Sequence, residues 1–140
     1  MQSEFFKWNS TYETGITRID IQHKVIVRIL NELYDIIIGN NEEDRISEII
    51  KELVQYTEYH FSEEEKMFDK YGYVNENEHK KEHQKFVKEI HLVISQMNTD
   101  KGMLAIELMN FLKDWLTEHI LDTDQEYVKY FKEQGIEILY

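Results

Sequence analysis

Four stretches of roughly 20 residues, each with apolar side chains stepping alternately by three and four, constrain this chain more than any other feature. In the first, the steps run through Ile19, His23, Ile26, Leu30, Leu33 and Ile37, and in the second through Ile46, Ile49, Leu53, Tyr56, His60, Glu64, Met67 and Tyr71. The third takes His79, His83, Phe86, Ile90, Val93 or Ile94, and Met97; the fourth takes Leu104, Leu108, Leu112, Trp115 and His119. Such a stripe is one face of an α-helix, and segments this long far exceed ordinary β-strands. The breaks between them are Gly15, Gly39-Asn40-Asn41, Gly72 with Asn75 and Asn77, Asn98-Thr99-Asp100 with Gly102, and Gly135. The chain has no proline, so glycine and short polar clusters carry all the punctuation. Asp20 and Asp44 stand where an N-terminal cap or a first-turn acid belongs.

Helices of ~30 Å joined by short loops bury their stripes against one another, which predicts an all-α fold, an up-down-up-down four-helix bundle. The bundle takes residues 19–122 of one domain spanning 1–140, with an N-terminal arm over 1–18 and a short C-terminal extension over 123–140. Trp8, Tyr12 and Ile16 give the arm apolar groups with which to pack on the bundle.

Composition narrows the function classes. The 28 Asp and Glu outnumber the 16 Lys and Arg, for a net charge of −12. That surplus argues against nucleic acid and against anionic membrane surfaces, both of which need clustered Lys and Arg. No apolar run approaches the ~20 residues of a membrane span. Residues Met1 to Lys7 lack the basic-then-apolar order of a secretory signal, so a cytoplasmic protein is expected. The absence of cysteine removes disulfides, thiolate zinc sites, iron–sulfur clusters and a cysteine nucleophile.

Against that background the histidines are misplaced. Of six, His23, His60, His79, His83 and His119 fall on stripes that periodicity assigns to the core, and Glu64 falls there too; His91 lies off the stripe. A buried imidazole needs partners for both nitrogens, and each unpaired buried polar group costs roughly 1–3 kcal/mol. Five of them without a purpose would consume much of a typical stability of about 5–15 kcal/mol. Metal ions would supply partners for all together. His60 with Glu64, and His79 with His83, are four apart and so project from one face of a helix. Asp124, five beyond His119, reaches the same centre if the last helix distorts. Five imidazoles and two carboxylates exceed the four ligands of a structural zinc site and suit two metals sharing carboxylate bridges. On ligand type alone iron, manganese, copper and zinc all remain open.

Two motifs compete with this reading. His79-Lys80-Lys81-Glu82-His83 matches a zinc-peptidase pattern, but Glu82 lies about 100° from the stripe and the motif leaves the other ligands idle. Glu76-Asn77-Glu78-His79 is a single E-x-x-H, whereas a ferritin-like di-iron bundle needs two.

The chain resembles the hemerythrin family, specifically the bacterial hemerythrin-like proteins. The resemblance rests on Trp8-Asn9, Gly15-Ile16, Ile19-Asp20-Ile21-Gln22-His23-Lys24, His60-Phe61-Ser62-Glu63-Glu64-Glu65, Tyr71-Gly72-Tyr73, His79 to Phe86, Trp115 to His119, and Thr123-Asp124, in that order. Val74 stands where relatives often carry proline, a departure that touches no ligand. The resemblance implies two iron ions: His79, His83 and His119 hold one, while His23 and His60 hold the other and leave it an open position. Glu64 and Asp124 bridge the pair, with an oxo or hydroxo group beside them. It implies reversible binding of dioxygen at the open position, as carrier, store, supply or sensor. Apolar cover is expected from Ile26, Phe61, Trp115 and Leu116, which also read as plain bundle core. Tyr127 either lines the site or packs. The alternatives are a di-iron enzyme reducing peroxide or nitric oxide, and an iron- or oxygen-sensing module read by a partner protein.

Overall fold

The structure, a computed structural model, describes residues 5–39, 43–95 and 101–138, except for the side chains of 43, 44, 93 and 101–105. Asn40, Asn41, Met97, Asn98, Thr99 and Asp100, and the side chains of Asp44, Val93 and Leu104, lie outside the described parts. After a short 3-10 turn at Ser10–Tyr12 come α1 (Thr17–Gly39), α2 (Glu43–Tyr71), α3 (Glu76–Ser95) and α4 (Lys101–Glu118). A π-helical segment, His119–Asp124, continues α4 directly into α5, Gln125–Glu133. No strand occurs among the described residues.

Helix α1 packs on α2 and α4, and α3 packs on the same two. Cross-helix contacts give the directions. Glu58 meets His91, Glu65 meets His83 and Asp69 meets Lys80, so α3 descends as α2 rises. Phe86 likewise meets Trp115 and Glu82 meets Thr123, which makes α4 antiparallel to α3. These are the neighbours of an up-down-up-down four-helix bundle.

The helix ends follow from local chemistry. Gly72 adopts φ +69° just past α2, and both its N–H and that of Tyr73 donate to the Phe68 carbonyl, at 2.8 and 3.1 Å. This left-handed C-terminal cap suits glycine because it lacks a Cβ. At the start of α1, Asp20 is a first-turn acid that also grips the arm. It accepts from the Thr14 N–H (2.7 Å), the Thr14 hydroxyl (2.8 Å) and the Gly15 N–H (3.2 Å). The arm is fastened again at Asn31, whose side-chain amide both accepts from the Phe6 N–H and donates to its carbonyl. Phe6 and Ile16 are buried, while Trp8 and Tyr12 pack partly buried against the core.

Three layers stack along the bundle axis. A large apolar cluster contains Ile26, Leu30, Leu33, Leu53, Phe86, Ile90, Leu108 and Leu112. A smaller one joins Ile16, Ile19, Met67, Phe68, Tyr73, Tyr127 and Phe131. Tyr127 and Phe131, four apart on α5, give the continued helix an apolar stripe of its own, so the last helix runs past residue 122 rather than ending there. Along the chain His23 falls between Ile19 and Ile26, His60 and Glu64 between Leu53 and Met67, His79 and His83 between Tyr73 and Phe86, and His119 and Asp124 between Leu116 and Tyr127, each flanking pair taking one member from either cluster. No described helix is long and apolar enough to cross a membrane.

Candidate metal centre

His23 comes from α1, His60 and Glu64 from α2, His79 and His83 from α3, and His119 and Asp124 from the π-helical segment. All seven are buried, with Glu64 and Asp124 fully inaccessible. In a regular α-helix a five-residue step turns a side chain about 140° away from its start. The wider π-helical turn from His119 to Asp124 cuts that offset, and the two side chains meet in the interior, with His119 Nε2 3.0 Å from Asp124 Oδ1. A distortion at this point was the condition for Asp124 to reach the others.

The two carboxylates organise the five imidazoles. Glu64 Oε1 lies 2.7 Å from His79 Nε2 and 3.0 Å from His83 Nε2, while its Oε2 faces His60 Nε2 at 3.6 Å. Asp124 Oδ1 lies 3.0 Å from His119 Nε2 and 3.2 Å from His79 Nε2, while its Oδ2 sits 3.1 Å from His23 Nε2. His23 and His60 approach each other at 3.0 Å through their Nε2 atoms. Each carboxylate therefore turns one oxygen to the His79/His83/His119 group and the other to the His23/His60 group. Two ligand constellations result: Glu64, His79, His83 and His119, and His23, His60, Glu64 and Asp124, each with its ligand atoms within 4.8 Å of one another.

Taken by themselves, the seven groups polarise one another strongly. Burial alone would lower His79, but hydrogen bonds and charge from Asp124 and Glu64 raise it to about 10. His119 is raised to about 9 for the same reason, with Asp124 overcoming burial. Burial, with His23 beside it, lowers His60 to about 3. Burial raises Asp124 and Glu64, yet the facing imidazoles outweigh it and hold both well below the ordinary carboxylate range. Even so, His83 Nε2, His119 Nε2 and both Asp124 oxygens lack a well-formed hydrogen bond among the described residues. Buried lone pairs converging without hydrogen-bond partners suit cation ligation, and nitrogen with oxygen donors suits iron.

A second set of contacts holds the imidazoles from behind. The His60 Nδ1–H donates to Gln22 Oε1 at 2.7 Å, and the His83 Nδ1–H to Glu65 Oε2 at 3.0 Å. Glu82 Oε1 lies 3.7 Å from His119 Nδ1, too long for a hydrogen bond, and accepts from the Thr123 hydroxyl. Glu82 thus stands outside the centre, not between His79 and His83 where the zinc-peptidase motif requires its base. Tyr127 lines the centre: its hydroxyl donates to Glu64 Oε2 at 3.0 Å. Phe61 stacks on His83 (3.8 Å between centroids, 8°), and Trp115 stacks on His119 (4.2 Å, 14°). Ile26 and Leu116 are buried in the large cluster. Sequence reasoning gave Gln22 and Glu65 no role, although each adjoins a stripe residue and lies in a segment that carries the family resemblance.

The model of the hemerythrin HHE cation-binding domain matches residues 14–131. The chain belongs to the hemerythrin family. It is 35% identical to a bacteriohemerythrin of Clostridium acetobutylicum over 127 residues, covering 88% of this chain and 98% of that one. It is 40% identical to a bacteriohemerythrin of Pseudomonas aeruginosa over 123 residues, 86% of this chain and 78% of the relative. A myohemerythrin of Theromyzon tessulatum matches at 30%, over 89% of this chain and 92% of its own. A crystal structure of wild-type hemerythrin superposes with a TM-score of 0.77 at 27% identity, over 89% of this chain and 96% of the other. As in other hemerythrins, the function is dioxygen binding at a non-haem di-iron centre with an oxo-type bridge, and the His/Glu/Asp cluster is compatible with it.

Proposed function

We propose that His79, His83 and His119 hold one iron, that His23 and His60 hold the second, and that Glu64 and Asp124 bridge them. What supports this division is the orientation of the two carboxylates, each with one oxygen beside two imidazoles of the three-histidine group and the other beside one imidazole of the two-histidine group. The three-histidine position then has more protein ligands, and the two-histidine position keeps room for an outside ligand. Two ferrous ions at such a centre supply reversible two-electron binding of dioxygen. The protein's part is to orient the imidazoles, to hold a proton at the Tyr127 hydroxyl beside Glu64, and to keep water out.

We read the chain as a reversible carrier or store rather than an enzyme. The aromatic faces of Phe61 and Trp115 on the imidazoles, with Ile26 and Leu116 in the adjoining core, support a dry pocket that returns its ligand unchanged. With 28 acidic against 16 basic residues we expect no nucleic-acid partner.

The test is a cycle of anaerobic reduction, exposure to air and deoxygenation followed by visible absorption. Purified protein is expected to carry about two irons per chain, with a spectrum that appears in air and disappears on deoxygenation. One-way oxidation sinks the carrier reading, and a single zinc with no iron sinks the ligand assignment. His79→Ala is expected to lose metal and lower holo stability, whereas His91→Ala, at an exposed position beside Glu58, leaves both unchanged. Equal effects of the two overturn the assignment.

A further inference from the structure

We infer that Glu65 and Gln22 are positioning residues that make the two metal positions unequal, so that the His79/His83/His119 position binds the more tightly and fills first. The inference rests on the ligand division above and deepens it. A ligating imidazole whose Nδ1–H is held by a carboxylate gains basicity at Nε2, because the carboxylate draws the proton and pushes electron density through the ring. A neutral amide does so less.

The contacts divide along that line. In the three-histidine group, His83 donates to the Glu65 carboxylate at 3.0 Å; the His79 and His119 Nδ1 atoms have no hydrogen-bond partner among the described residues, although the Glu82 carboxylate stands 3.7 Å from that of His119. In the two-histidine group, His60 donates to the Gln22 amide at 2.7 Å, and His23 Nδ1 has no hydrogen-bond partner among the described residues. The shared carboxylate leans the same way. Glu64 Oε1 faces His79 and His83, while Oε2, which faces His60, has part of its lone-pair density taken by the Tyr127 hydroxyl at 3.0 Å. Charge at the back of the rings and hydrogen bonding on the bridge thus both favour the same position. Glu65 is partly solvent-facing, at 31% exposure, while Gln22 is buried, so one position is backed by an accessible carboxylate and the other by an enclosed amide.

Two near-isosteric substitutions separate charge from shape. Glu65→Gln keeps the volume and an oxygen acceptor for the His83 Nδ1–H, and Gln22→Glu does the same for His60. Metal-free protein is titrated anaerobically with cobalt(II), by competition calorimetry and visible absorption, with thermal unfolding confirming that each variant folds. Wild type is expected to take two ions per chain in two resolved steps. Glu65→Gln weakens the tighter step by roughly 10–100-fold and leaves the other in place, and Gln22→Glu tightens the weaker step. If Glu65→Gln moves both steps alike or neither, or Gln22→Glu leaves the weaker step unmoved, the inequality does not arise from these residues and the inference is overturned. Two ions per chain with that result leave the ligand assignment standing, whereas fewer than two in wild type overturn the assignment and the inference together. Imidazole nitrogen shifts of His60 and His83 in the metal-free protein give a second readout, expected to move only at the ring whose partner is changed.

Discussion

At the scale of single residues, the centre is a set of charges arranged to be replaced. Near neutral pH His79 and His119, raised to about 10 and 9, carry protons that balance the ionised Glu64 and Asp124. Loading with two divalent ions at pH 7 is expected to release about two protons, one from each of these imidazoles. Calorimetry in buffers of different ionisation enthalpy measures that number, and it shrinks as pH approaches 9 to 10. The same shifts set the pH dependence of the metal-free fold. The raised histidines contribute stability that is complete below 6.5 and is lost as pH rises through about 9 and 10. The lowered carboxylates contribute above their ordinary range, near 4, and lose that contribution on acidification. His60, held at about 3, acts in the same direction as the carboxylates, because the unfolded chain takes up its proton from 6.5 downward. Metal-free stability should therefore peak close to pH 6.5, and urea midpoints across pH check it; a midpoint still rising from pH 7 to 10 contradicts these assignments. Tyr127→Phe deletes a buried hydroxyl that donates to an ionised carboxylate. The expected loss is about 2 kcal/mol in denaturant unfolding of the metal-free protein, and an unchanged midpoint would mean that the bond contributes nothing.

At the scale of elements, helix ends decide which side chains reach the centre. The stripes on α1, α2 and α3 present His23, the His60/Glu64 pair and the His79/His83 pair by ordinary four-residue spacing, and periodicity alone predicts those positions. The His119–Asp124 step does not obey that spacing; it depends on the π-helical turn, which backbone packing selects and no residue type in His119 to Asp124 announces. The Gly72 cap is a separable matter. A Cβ placed there meets nothing within 4 Å, so Gly72→Ala changes only the cost of φ +69°. Loss of about 1 kcal/mol is expected, with metal content unaffected. A large fall in bound metal on this substitution would mean that the backbone of the turn, and not only the Tyr73 ring that meets His79 edge-on at 6.5 Å between centroids, holds the centre in place.

At the scale of the whole molecule, the polar layer lies between two apolar clusters, so the bundle closes around a centre it can stabilise only incompletely by itself. Ions that bind the folded chain and not the unfolded one add stability as their free concentration rises above the dissociation constant. The loaded protein should unfold at a higher temperature than the chelator-treated protein. The gap should narrow as pH falls from about 9 and 10, because protons on His79 and His119 then compete with the ions. Differential scanning calorimetry measures both, and equal unfolding temperatures for loaded and stripped protein would show that the ions do not hold the four helices together.

What the sequence determined by itself was whatever depends on spacing along one helix. That covers the four amphipathic helices of the bundle and the five histidines and Glu64 on buried stripes, because side-chain direction on a helix follows from residue number; composition alone removed thiolate ligands. Tertiary structure decided whatever depends on two helices meeting or on a helix departing from regular geometry. It turned one oxygen of each carboxylate toward each histidine group. It widened the turn that brings in Asp124 and chose Tyr127 as partner to Glu64. It set a carboxylate behind His83 and an amide behind His60. Apart from that turn, these are distances between residues 15 (His79 and Glu64) to 101 (His23 and Asp124) positions apart, and they are fixed by packing between helices rather than by any local pattern.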